Sequence, residues 1–194
     1  MNIDFIGCAS HRLNLAVEMY FAGKYNDIVE KIHKIMVHLN SSANIRGVLA
    51  EFTDALPEKR NATRWTSASK MVIKYSKKLH SIIGEHYQTL RIHTSMVLTT
   101  ADKELVDQFV LESTDILGAI VDLQSASVTM LDIRLVFDYL IKNYPGMQSY
   151  LSAEAGIVRC VNFENGIVKL NACQNGETVQ FTDDEIEAIK PFKK

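Results

Sequence analysis

ADKELVDQFVLESTDILGAIVDL, residues 101–123, decides the fold class. Leu105, Phe109, Ile116, Leu117 and Ile120 recur at helical spacing along it. A strand would alternate every second residue instead. An amphipathic helix of this length is stable only when its apolar stripe meets other apolar stripes. The flanking sequence supplies them. Upstream, Thr66 or Ser67 caps a helix to about Ile83. Downstream, Thr129 to Tyr144 forms another through Ile133, Val136, Phe137 and Leu140, and Pro145-Gly146 ends it.

Farther out the same reading predicts a helix from Ser10, stopped by Gly23, with Leu13, Ala16, Val17, Tyr20 and Phe21 inward. Asp27 opens a second helix through Ile28, Ile32, Ile35, Met36 and Leu39, and a shorter one covers Ile45 to Phe52. Residues 84–100 read as helix or loop, Phe163 to Leu170 as a short helix or strand, and Asp183 to Ile189 as a short helix capped by Thr182. Ile3 to Gly7 reads as a lone strand without a partner in the chain. The expected fold class is mainly α, with five to seven helices.

The chain has 194 residues, enough for one domain or one domain with a small appendage. Apolar residues make up 47% and charged residues 23%, the proportions of a soluble globular protein. No apolar run is long enough to span a bilayer, so no membrane partner is expected. The N-terminus lacks the pattern of a secretory signal. Cys8, Cys160 and Cys173 are too few and too scattered for a disulfide framework, which fits a reducing compartment. The net charge of −2 conceals an asymmetry: residues 1–100 carry +5 and residues 101–194 carry −7. A polyanion would meet the N-terminal half.

The most informative local stretch is residues 59–84. Lys59, Arg60, Arg64, Lys70, Lys74, Lys77 and Lys78 are basic, and no acidic residue interrupts them. At about 100° per residue, Lys70, Lys74, Lys77 and Lys78 share one helix face, opposite Ala68, Val72, Tyr75, Leu79 and Ile82. Such a row suits the phosphates of a nucleic acid. Arg60, Arg64 and Trp65 precede the helix, and a guanidinium beside an indole can hold a phosphate and stack a base. The plain alternatives are a solvated lysine face and a tryptophan that anchors the core. Cys8 and His11, spaced C-x-x-H, make half of a zinc site. Cys160 and Cys173 lack the matching spacing, and His33 and His38 lie five apart, so neither a metal nor a cofactor is expected.

Ile6-Gly-Cys-Ala-Ser-His-Arg-Leu-Asn-Leu-Ala-Val17 resembles the C-x-x-H segment of hAT-superfamily transposases, and Asn61-Ala-Thr-Arg-Trp-Thr-Ser67 resembles the T-R-W motif of that family. Ala155-Gly-Ile-Val and Asn162-Phe-Glu-Asn-Gly-Ile-Val-Lys169 are similar to the region after the family's helical insertion. The resemblance implies a strand remnant of a ribonuclease-H-like fold interrupted by a multi-helix insertion domain. The corresponding segments are residues 1–24, residues 25–150, and an irregular extension over residues 151–194. It also implies that Cys8 and His11 lie near the active-site region, and that Trp65 with Arg64 stacks against a flipped base. Strand transfer in this family needs two metal ions held by three carboxylates. The family's two aspartates fall upstream of Met1, and its glutamate falls in a C-terminal segment beyond Lys194. Asp4 is too close to the C-x-x-H segment to be one of the aspartates, and Glu164 and the cluster Asp183 to Glu187 do not match the glutamate's context and read as solvated charge. No catalytic residue is therefore assigned, and a non-enzyme is expected.

The expected function is a transposase-derived fragment that binds DNA, single-stranded or distorted, through Arg60, Arg64, Trp65, Lys70, Lys74, Lys77 and Lys78. By family resemblance it would act in the nucleus, otherwise in the cytoplasm. The alternative is a helical protein-interaction module, or an inert relic, with a full-length transposase relative as partner.

Overall fold

A computed structural model describes residues 8–58, 60, 65–123 and 127–192. The protein is mainly helical, and no strand occurs among the described residues. The lone strand expected at Ile3 to Gly7 lies outside them. Nine α-helices are described: α1 (Ala9–Leu39), α2 (Ala43–Ala50), α3 (Trp65–Lys74), α4 (His80–His86), α5 (Thr100–Asp122), α6 (Met130–Asn143), α7 (Gln148–Leu151), α8 (Val161–Gln174) and α9 (Asp183–Ile189). None is long and apolar enough to cross a membrane.

Several expectations are corrected. Gly23 does not stop a helix, because α1 runs unbroken through 31 residues. A helical glycine costs about 1 kcal/mol. Phe21, Tyr25, Ile28 and Val29 are all buried around it, and this burial outweighs that cost. Residues 163–170 resolve as helix, within α8. The buried stripe of α5 is Val106, Phe109, Ser113, Ile116 and Ala119, and Leu105 faces outward. Other boundaries fall where local chemistry puts them. Ser42 caps α2, and Thr129 and Thr182 each form a capping box, with Asp132 and Glu185 respectively.

Packing groups the chain into two compact units. Residues 21–117 form one. Residues 1–20 join residues 118–194 in the other. In the first, Phe21, Tyr25 and Phe109 form an aromatic centre, with Phe21 and Phe109 centroids 4.9 Å apart. In the second, Phe163 and Ile167 of α8 close on Ile189 of α9. Gly166 makes that approach possible, since a Cβ there would stand 2.6 Å from Ile189 Cγ2.

Candidate nucleic-acid interface

The lysine row of the basic stretch lies on α3 and the turn after it. Met71, Tyr75, Leu79 and Ile83 are buried at four-residue steps. In an α-helix each such step overshoots by about 40°, so the stripe would wind away from the core. The helix instead opens into a π-turn at Tyr75–Leu79, where the His80 N–H donates to the Tyr75 carbonyl, five residues back. The wider turn keeps the four-residue steps nearly in line. Lys70, Lys74 and Lys78 follow the same step on the outer side, with Lys77 beside them. Ala68 and Ile82, expected inward, are half-buried, and Met71 and Ile83 take their places.

Lys70, Lys77 and Lys78 are exposed and form no ion pair among the described residues. Lys74 is half-buried and lies 3.6 Å from the Glu58 carboxylate. Arg60 pairs with Glu30 of α1 at 2.6 Å. Both acids come from the N-terminal half of the chain. Lys59 and Arg64 lie outside the described residues. His80 directly follows the π-turn. Burial first, and then Lys103, hold its pKa below the usual 6.5, while Asp107 pulls the other way. The unit of residues 21–117 carries 13 Lys/Arg and 11 Asp/Glu. Local arrangement, not net charge, therefore gives this face its sign.

Trp65 overturns its expected role. The residue is 9% exposed and its ring stacks on Phe21, centroids 5.8 Å apart and planes 5° from parallel. The indole anchors the first turn of α3 to the aromatic centre and offers no face to a base. Cys8, just before α1, and His11, in its first turn, are both exposed, and the His11 N–H donates to the Cys8 carbonyl at 3.1 Å. Among the described residues no group of three His, Cys, Asp or Glu is placed to hold a metal ion.

A second constellation escaped the sequence reading. Glu164 is not solvated charge. Its side chain is buried, bonded to Arg12 on one oxygen and 3.5 Å from Arg134 on the other. Arg12 and Arg134 are 5% and 2% exposed. Arg12 also donates to the carbonyls of Tyr150, Leu151 and Ser152, and Arg134 to that of Leu151 at 2.8 Å. The C-terminal carbonyls of α7 are thus capped by two guanidiniums. Arg134 reaches Asp138 at 2.7 Å, and both guanidiniums stand over the Phe137 ring. The signal was position. Glu164 falls at helical spacing with Ile167 and Asn171, on the face that packs. The network joins α1 to α8, through Arg12 of the first and Glu164 of the second. Comparison with protein-family models, with curated proteins and with solved structures finds no match.

Proposed function

We propose that this chain is a transposase-derived helical module that binds nucleic acid through the phosphate backbone, without cutting it, at Lys70, Lys74, Lys77 and Lys78. One observation carries the reading: three exposed ammonium groups and a fourth paired only at 3.6 Å stand along one helical segment whose opposite side is core. An exposed ion pair such as Lys74–Glu58 contributes at most about 1 kcal/mol. A phosphate can displace it. The ordered C-x-x-H and T-R-W segments support transposase descent, and with it a ribonuclease-H-like ancestry and action in the nucleus. The contact is electrostatic and does not read bases, because Trp65 is spent on the core.

The test is fluorescence anisotropy with a labelled DNA oligonucleotide at several salt concentrations. Three to four phosphate contacts on duplex predict a log–log salt slope of about −2.7 to −3.6. The triple variant Lys70→Glu/Lys77→Glu/Lys78→Glu, shown folded by circular dichroism, should abolish binding. A salt-independent signal, or full binding by the triple variant, rejects the proposal.

A second reading, a protein-interaction module, rests on Leu135 and Tyr139 of α6. They lie one turn apart and are 48% and 46% exposed. Co-purification with a full-length transposase, lost in Leu135→Ser/Tyr139→Ser, would favour it.

A further inference from the structure

The unit formed by residues 1–20 and 118–194 contains a cavity of about 170 Å³, partly open to solvent. Ile133, Phe137, Phe163 and Ile167 supply apolar walls, and Arg12, Arg134 and Glu164 form a polar wall. Close-packed interiors leave few voids larger than a water molecule. Apolar cavities of roughly 150 Å³ stay dry and accept benzene-sized guests. The size and walls therefore fit a compact apolar body.

The polar wall sets the charge of the guest. A guanidinium carries five N–H donors. The partners of Arg12 are the carbonyls of Tyr150, Leu151 and Ser152 and one oxygen of Glu164. Those of Arg134 are Asp138, from two nitrogens, the Leu151 carbonyl and Glu164. Each guanidinium keeps an N–H with no partner among the described residues. Of the carboxylates in the network only Glu164 is buried, since the Asp138 side chain is 50% exposed. With Asp138 the network is balanced overall, but the cavity lining itself holds two guanidiniums and one carboxylate.

We propose that this cavity is a binding site for a small monocarboxylate with an apolar body about the size of a benzene ring. The body fills the space between Ile133, Phe137, Phe163 and Ile167. The carboxylate accepts the spare N–H groups of Arg12 and Arg134. The proposal is independent of the lysine row.

The test is a titration of the isotope-labelled full chain, read by amide chemical shifts, with benzoate, toluene and acetate as separate probes. Benzoate should shift amides of α6 and α8 saturably. Toluene has the body without the charge and should bind about tenfold or more weakly, the value of a charge-assisted hydrogen bond. Acetate, with the charge and no body, should not saturate. Ile133→Trp, chosen to fill the cavity and leave the charged network intact, should abolish the benzoate response; Ala9 also lines the cavity, and Ala9→Leu serves if the first variant does not fold. The proposal falls if benzoate does not saturate, if toluene or acetate equals it, or if a folded, filled variant still binds it. The wild-type series decides the matter even if neither variant folds.

Discussion

The Trp65 indole lies flat on Phe21, which itself packs against Phe109 and Tyr25. Removing an aromatic side chain from such a site costs about 3–5 kcal/mol. Trp65→Ala should therefore lower urea-melt stability by that amount, and folded molecules of the variant should retain nucleic-acid affinity within about twofold, since phosphate contacts carry it. Loss of binding with unchanged stability would return the indole to the interface. A second residue is informative about strain. After α4 the Ile92 N–H donates to the Tyr87 carbonyl and the Arg91 N–H to that of Gln88, the bonding of a Schellman cap. Arg91 occupies its left-handed position at φ 55°, where glycine is favoured. Arg91→Gly should raise the melting free energy by about 1 kcal/mol. No change, or a decrease, would show that the arginine has a compensating contact. Neither role was legible in sequence. An arginine beside a tryptophan has the same composition whether the ring faces a base or a phenylalanine 44 residues upstream. What separates the two is a long-range contact.

At the scale of helices, much was legible, because capping is local. Thr129 with Asp132 and Thr182 with Glu185 lie three residues apart and mark the starts of α6 and α9 unaided. Glycine was the harder signal. Gly23 and Gly166 look alike in sequence, yet a Cβ meets nothing within 4 Å at the first and Ile189 Cγ2 at 2.6 Å at the second. Overpacking costs about 1–3 kcal/mol, more than the roughly 1 kcal/mol that alanine gains over glycine in a helix. Gly166→Ala should therefore destabilise and Gly23→Ala should stabilise. Thermal melts of the two variants should move in opposite directions, and equal shifts would contradict the α8–α9 contact. The caps also set a pH dependence. The Thr129 hydroxyl first, and its N–H second, hold the Asp132 carboxyl below its ordinary 3.8. Lys169 first, and then Thr182, hold Glu185 below 4.5. Both pKa values are depressed on folding. The stability they contribute is complete above the ordinary carboxylate range and is lost as pH falls through the folded values. The stability gap between wild type and Asp132→Ala should close on acidification, as read by denaturant midpoints. A gap that stays constant would mean that the carboxylate charge does not matter to the cap.

At the scale of the whole chain, the unit of residues 1–20 and 118–194 is held by a charged network that no local pattern announces. Arg12 and Glu164 are 152 positions apart, and only folding brings the two ends of the chain into one unit. No periodicity pairs residues at that distance. What was readable was a charged residue at a packed position, once in α1, once in α6 and once in α8. Buried ion pairs contribute little when replaced as a whole, but removing one partner costs about 3–5 kcal/mol, because the remaining charge is left without compensation. In Glu164→Leu two guanidiniums lose their buried carboxylate, so the unit of residues 1–20 and 118–194 should be weakened by that amount. The single tryptophan lies in the other unit and reports its unfolding alone. In urea, the far-ultraviolet circular dichroism of Glu164→Leu should therefore lose part of its helix signal before tryptophan emission changes, giving two transitions. Coincident transitions would show that α1 and α5, each of which has residues in both units, couple them into one cooperative block. In that case the same substitution should displace the lysine row as well, and nucleic-acid binding would fall with the circular dichroism signal.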